Sequence, residues 1–201
     1  MANEKDKSQL LNTGDNELTL GDKKSYAGIP EAEFVDDVDA FMAKPENDGN
    51  VDKVLKKLDE QHSKYKFMEY NLNSKRRRLR VQIPDLKRSL DMIHKLKNQQ
   101  DDVETEFLLS EQVFIKARIP PTKSVCLWLG ANVMLEYTLE DAEQLLSSNM
   151  KAATRNLAYV EHDLDFLRDQ FTTTEVNMAR VFNWDVKRRQ STRQGPTPSS
   201  T

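Results

Sequence analysis

The chain has 201 residues, 33 acidic against 30 basic, with a formal net charge of −3. With 37% hydrophobic residues, 7% aromatic and six glycines, it is too polar for one compact core of this length and suits long amphipathic helices. The balanced charge gives no whole-molecule pull toward nucleic acid or acidic lipid, and a single cysteine, Cys126, excludes an intrachain disulfide.

Residues 1–27 mix Asn, Asp, Lys and Gly with scattered leucines and no sustained period, and they read as a disordered tail. The first thirty residues hold no apolar signal-peptide core. The lone cysteine fits a reducing compartment, and the apolar run around Trp128 is far shorter than the roughly 20 residues of a membrane span. These features predict a soluble, cytoplasmic protein, with the nucleus as a second location and no membrane partner. In GIPEAEFVDDVDAFM (28–42), Pro30 suits a first helical turn and Phe34, Val38, Phe41 and Met42 share a face, which predicts a short amphipathic helix. The linker KPENDGN (44–50) ends it.

From Val51 a heptad register takes hold through Leu55, Leu58, His62, Tyr65, Glu69, Leu72, Arg76, Leu79, Ile83, Leu86, Leu90 and Ile93, with Met68 covering the lapse at Glu69. This first arm is expected over 50–105. Pro84 removes a backbone hydrogen bond inside it at a cost of about 3 kcal/mol, yet the register continues from Ile83 to Leu86, so a kinked or loosened helix is expected.

Residues 107–137 change period from seven to two. Val113, Ile115, Ala117 and Ile119 alternate with Lys116 and Arg118; PPTK (120–123) turns; SVCLWL (124–129) is apolar on both faces; GAN (130–132) turns again; Val133, Leu135 and Tyr137 then share a side. Two small β-hairpins are predicted at the joint between the arms.

A second arm, 138–189, steps through Leu146, Met150, Ala153, Leu157, Val160, Leu164, Leu167, Phe171, Thr174, Met178 and Val181. Thr138 followed by Asp141 approximates a capping box at its start, and STRQGPTPSST (191–201) reads as a disordered tail. Two seams of matching length with a short connection argue for an antiparallel helical hairpin, the alternative being halves of separate intermolecular coils. The predicted class is mainly α: a long two-helix coiled coil carrying two β-hairpins.

Isolated two-stranded hairpins are marginal in water, and these would expose both backbone edges and apolar faces. Pairing with equivalent strands of other chains solves the problem, so an obligate oligomer is expected. The assembly surface would be Val113, Ile115, Ile119, Val125, Leu127, Leu129, Val133, Leu135 and Tyr137.

The segment SVCLWLGANVMLEYTLEDAEQLL (124–146), with its hydrophobic strand, Gly-containing turn, second strand and helix-opening T-L-E-D-A, resembles the alpha class of prefoldin subunits. GIPEAEFVDDVDAFM, VLKKLDEQHSKYKFMEYNL and LDFLRDQFTTTEVNMARVFNWDVKRR extend the resemblance over roughly residues 28–190, a prefoldin-like domain at 50–190 with the tails unmatched. The resemblance implies a hexamer of two alpha-class and four beta-class subunits, whose hairpins form a β-barrel platform from which the coiled coils hang. It also implies ATP-independent capture of unfolded chains, actin and tubulin among them, and their transfer to the cytosolic group II chaperonin. A straight first arm is not implied, given Pro84.

Capture needs apolar side chains at the arm ends remote from the hairpins. Phe67, Met68 and Tyr70 of the first arm and Phe182 and Trp184 of the second are the candidates for client binding. Tyr65 and Val181 belong to the seam, where coil packing accounts for them. The basic runs KRRRLR (75–80) and VKRRQSTR (186–193) read as solvated helix faces, and no nucleic-acid partner is expected. His62, His94 and His162 are scattered, and no phosphate-cradling glycine loop occurs, so neither catalysis nor a cofactor or metal is expected. The competing reading is a structural coiled-coil adaptor, which would have no use for two aggregation-prone hairpins.

Overall fold

The computed structural model of the protein describes residues 24–193. Its elements are α1 (Val38–Met42), α2 (Val51–Lys97), β1 (Val103–Ser110), β2 (Val113–Ile119), β3 (Ser124–Gly130), β4 (Val133–Thr138) and α3 (Leu139–Arg193). The described residues divide into two compact units, one of 24–73 and 158–193, the other of 74–157. Residues 1–23 and 194–201, most of both expected tails, lie outside the described residues.

In the first unit, α2 begins where Asn50 caps it, its Oδ1 accepting the Lys53 amide at 3.1 Å. Asp48 and Gly49 take left-handed backbone just before, at φ 48° and 60°, to make the turn. Val51, Val54 and Leu58 pack with Met42 of α1 and Val181 of α3. Further on, Tyr65 packs with Leu167, and His62 meets Glu175 at 3.2 Å. Rising numbers along α2 therefore meet falling numbers along α3: the two helices of one chain pair antiparallel. That decides against halves of separate intermolecular coils.

The helix expected over 28–42 forms only at its end, α1, where Asp37 caps by accepting the Ala40 amide. Residues 24–37 have no regular secondary structure and lie along α3 as a strap. The reason is where the strap's backbone hydrogen bonds go. The amides of Tyr26 and Ala27 both donate to the Asp163 carboxylate, at 2.7 and 2.8 Å; Ala32 donates to Gln170 Oε1 at 2.8 Å. Val35 donates to Asn177 Oδ1 at 2.9 Å, while Asn177 Nδ2 donates back to the Glu33 carbonyl at 2.8 Å. Amides held by a neighbouring helix are not free for a helix of their own. From Asp163 to Asn177 is about 21 Å of helix at 1.5 Å per residue. Residues 26–35 cover it at about 2.3 Å per residue, an advance no α-helix makes. Residues 24–27, expected in the tail, are thus part of the packed structure. Ile29 joins the Tyr65–Leu167 cluster, and the Tyr65 hydroxyl donates to the Pro30 carbonyl at 2.8 Å.

The end of α3 runs past the expected 189 to Arg193. Asp185, buried, holds Arg188 at 3.3 Å and Arg189 at 2.6 Å one turn on, which favours another helical turn.

In the second unit, α2 continues through Pro84 without interruption and stops at Lys97, not near 105. Gln99 closes the end, its Nε2 donating to the carbonyls of Asp101 and Ile119 at 2.9 and 2.8 Å. The chain then enters β1 at Val103, four residues ahead of the expected insert, because Val103, Thr105 and Phe107 find partners in Ile119, Ala117 and Ile115. Two antiparallel hairpins form, β1–β2 and β3–β4. The second turns through Ala131 and Asn132, both left-handed at φ 48° and 60°, the backbone that a tight two-residue hairpin turn with right-handed strand twist requires. At the start of α3, the Asp141 amide donates to Thr138 Oγ1 at 3.1 Å and that hydroxyl donates to the Asp141 carboxylate at 2.9 Å. Leu90 and Ile93 of α2 pack there against Leu139, Ala142 and Leu146 of α3.

Candidate functional site

The hairpins differ in how they are supported. On β3–β4, Val125 and Tyr137 form one cross-strand pair and Leu127 and Leu135 the next. Three of these, Val125, Leu127 and Tyr137, pack against the cluster of Leu90 and Leu146, so part of this face has a core behind it. The opposite face carries Cys126 beside Glu136 and Trp128 beside Met134, and all four are exposed. An open groove of about 970 Å³ flanks Trp128, bordered by Val81, Leu86, Leu127, Leu129 and Leu145.

On β1–β2 one face carries charge pairs, Glu104 opposite Arg118 and Glu106 opposite Lys116, followed at the hairpin end by Leu108 opposite Phe114. The other face begins with Val103 and Ile119 and ends with Phe107 and Ile115. Phe107, Leu108, Leu109, Val113, Phe114 and Ile115 are all exposed. Such a concentration of solvent-facing apolar side chains at one hairpin end marks an interaction surface.

Of the nine residues expected at the assembly surface, Val113, Ile115, Leu129, Val133 and Leu135 are exposed, whereas Ile119, Val125, Leu127 and Tyr137 are half-buried. The more exposed Trp128, Met134, Leu108, Leu109 and Phe114 were absent from that set. Alternation alone selected one face of each strand. The unbroken apolar run SVCLWL, greasy on both faces, was the signal for the other.

The five client-binding candidates do not gather at one tip. Phe67 and Tyr70 face solvent at 68% and 67% exposure, and Phe182 at 58% beside Leu55 and Met178. Met68 packs on the Tyr65–Leu167 cluster. Trp184 packs on the cluster of Met42 and Val51, donates its Nε1–H to Asp39 at 2.6 Å and lies under the Arg188 guanidinium at 4.9 Å. Tyr65 and Val181 are fully buried, as seam positions should be. Between residues 75 and 80, Leu79 is buried while Lys75, Arg77, Arg78 and Arg80 face outward, so the basic run is a helix face beside a core leucine.

Two charged side chains in the second unit, Glu143 and Lys97, are shifted from their ordinary values. Glu143 takes a hydrogen bond from Lys97 Nζ at 2.7 Å and lies 3.1 Å from His94 Nε2. The Lys97 hydrogen bond, and after it that of His94, holds the Glu143 carboxyl below its ordinary value, and Glu143 in turn raises Lys97. Among the described residues no three His, Cys, Asp or Glu side chains gather as a metal site would need, and no helix is long and apolar enough to cross a membrane.

The strap is not foreseen in the sequence, nor are three α3 side chains that hold its backbone. Asp163, Gln170 and Asn177 recur at seven-residue spacing beside the seam residues Leu164, Phe171 and Met178. All three are buried.

Residues 65–184 match the family model described as Prefoldin subunit. The chain is 61% identical over 169 residues to prefoldin subunit 3 of Drosophila melanogaster, covering 84% of this chain and 87% of that one. It is 57% identical over 180 residues to prefoldin subunit 3 of Homo sapiens, covering 88% and 91%. To prefoldin subunit 3 of Elsinoe fawcettii it is 43% identical over 171 residues, covering 84% and 85%.

Proposed function

As the chain belongs to the prefoldin family and is a subunit of that co-chaperone, we propose that it assembles through its hairpins with one further alpha-class and four beta-class subunits. In this reading the prefoldin-like domain is residues 50–190, and β1–β2 and β3–β4 enter a β-barrel platform shared between chains. The hexamer captures unfolded polypeptides in the cytoplasm, actin and tubulin among them, and passes them to the group II chaperonin without ATP. The side chains assigned to client contact are Phe67, Tyr70 and Phe182, whose rings face solvent. Met68 and Trp184 are assigned to support beneath them.

The observation that carries the reading is the double-sided apolar hairpin. Trp128 and Met134 on one face, and Phe107, Leu108 and Phe114 at the end of the other hairpin, are exposed in the single chain. Each large side chain is worth about 1.5–3 kcal/mol when fully buried, a gain the hairpins realise only against other strands. An adaptor that merely spaces its partners gains nothing from this surface.

The test is co-expression with the other five subunits, followed by mass measurement and an aggregation-suppression assay with unfolded actin in the absence of ATP. The expected result is a hexamer that suppresses aggregation and releases actin to the chaperonin. A chain that stays monomeric in the presence of the other subunits, or suppression that requires ATP, overturns the proposal.

A further inference from the structure

The groove along α3 that holds the strap has the character of a peptide-binding site. Three buried side chains line it at seven-residue intervals, and each is aimed at backbone. Asp163 takes two successive amides, Gln170 takes one, and Asn177 both accepts an amide and donates to a carbonyl. Such bonds do not depend on which side chains the bound segment carries. Its apolar side chains are received separately. Tyr26 stacks on Tyr159 at 4.0 Å, Ile29 enters the Tyr65–Leu167 cluster, and Val35 is buried.

Polar groups buried beside a coiled-coil seam are costly when unsatisfied. A seam sealed only by its two helices would place apolar residues at buried positions beside it. Asp163, Gln170 and Asn177, buried and bonded to strap backbone, fit a groove built to receive non-helical backbone. An unfolded chain offers the same features as the strap: free amides and carbonyls, with apolar side chains at irregular intervals.

We propose that this groove binds extended apolar segments of unfolded polypeptide, and that residues 26–35 are its resident occupant, which a client displaces. The inference rests on the chaperone reading above and adds a second capture surface, distinct from the exposed rings of Phe67, Tyr70 and Phe182. Tethering puts the strap at an effective concentration of order millimolar. A single weak segment therefore fails to displace it, whereas a client held elsewhere on the same complex presents its next segment at comparable concentration and competes. The strap thereby sets a threshold that favours long unfolded chains over short exposed peptides.

The experiment uses the assembled complex and reduced, carboxymethylated α-lactalbumin as a permanently unfolded probe. Hydrogen exchange is followed at the amides of Tyr26, Ala27, Ala32 and Val35 with and without saturating probe. Faster exchange at these amides in the bound complex is expected; unchanged protection with the probe bound overturns the inference. In parallel, a complex whose subunit carries Ile29→Asp and Val35→Asp should bind the probe about tenfold more tightly, since the tethered competitor is weakened. Equal or weaker binding by that variant, with hexamer mass retained, also overturns it. If the unaltered complex fails to bind the probe at all, the chaperone reading itself fails. Binding without strap release sinks only the present inference.

Discussion

Trp128 of β3 stands directly opposite Met134 of β4, and the two side chains face solvent at 59% and 57% exposure. Cross-strand pairs of this kind normally stabilise a sheet by covering one another and a core; here the pair has solvent on its outer side. Trp128→Asp should leave the single chain's stability within about 0.5 kcal/mol, as for other exposed positions. In the proposed assembly it should abolish entry into the complex, because a carboxylate buried between subunits lacks a partner. Thermal melting of the isolated subunit and mass measurement of the co-expressed complex check the two halves separately.

The strap's attachment predicts an asymmetry between neighbouring polar residues of α3. Asn177 is buried and makes two hydrogen bonds to strap backbone, at 2.9 and 2.8 Å. Asn177→Ala strands the Val35 amide and the Glu33 carbonyl and should cost about 1–3 kcal/mol. Thr172, exposed and bonded only within its own helix, should tolerate alanine within about 0.5 kcal/mol. Urea unfolding midpoints of the two variants give the comparison.

How much of this was legible in the sequence depends on whether a residue's partner is local. Thr138 and Asp141, three apart, announced the start of α3, and Gly130, Ala131 and Asn132 announced the β3–β4 turn. The seam was legible because heptad spacing places Tyr65, Leu79, Leu90, Leu167 and Val181 on inner faces, and all five are buried. The strap was not, since GIPEAEF satisfies the local rules for a helix start, while its partners on the two long helices lie from 35 to 144 positions away. The end of α2 was misjudged for a similar reason: Val103 and Thr105 continue a polar, helix-compatible stretch until Ile119 and Ala117 are available to pair with them.

Phe182 and Trp184 are two residues apart on α3, yet they should respond differently to serine. Phe182 projects into solvent, so Phe182→Ser should leave stability within about 0.5 kcal/mol while weakening client capture. Trp184 packs on Met42 and Val51 and holds Asp39, so Trp184→Ser removes a half-buried ring together with its hydrogen bond. A loss of about 2–4 kcal/mol is expected, somewhat less than for deleting a fully buried aromatic. Denaturant midpoints paired with aggregation-suppression assays separate a contact residue from a supporting one. Equal destabilisation by both changes would remove Phe182 from the capture surface.

The Lys97–Glu143–His94 group predicts how the helix pair responds to pH. Glu143 lies below its ordinary value of 4.5 in the folded chain, the Lys97 hydrogen bond being the largest cause and the His94 hydrogen bond the next. A carboxyl depressed by folding contributes stability above its unfolded value and loses it as pH falls through the folded one. Lys97 is raised above 10.5, chiefly by its hydrogen bond to Glu143, so its contribution is complete below 10.5 and is lost as pH rises through the folded value. Both contributions are present near neutrality and both depend on the same carboxylate. Glu143→Gln should therefore lower stability at pH 7 while flattening its dependence below about pH 5. Other carboxylates titrate in that range too, so the informative quantity is the difference between parent and variant across a series of urea melts. That difference should narrow as pH approaches 3. It should also shrink in 1 M salt, because solvent ions screen a pair on the helix surface. A difference that stayed constant from pH 7 to 3 would show that Glu143 acts through packing alone.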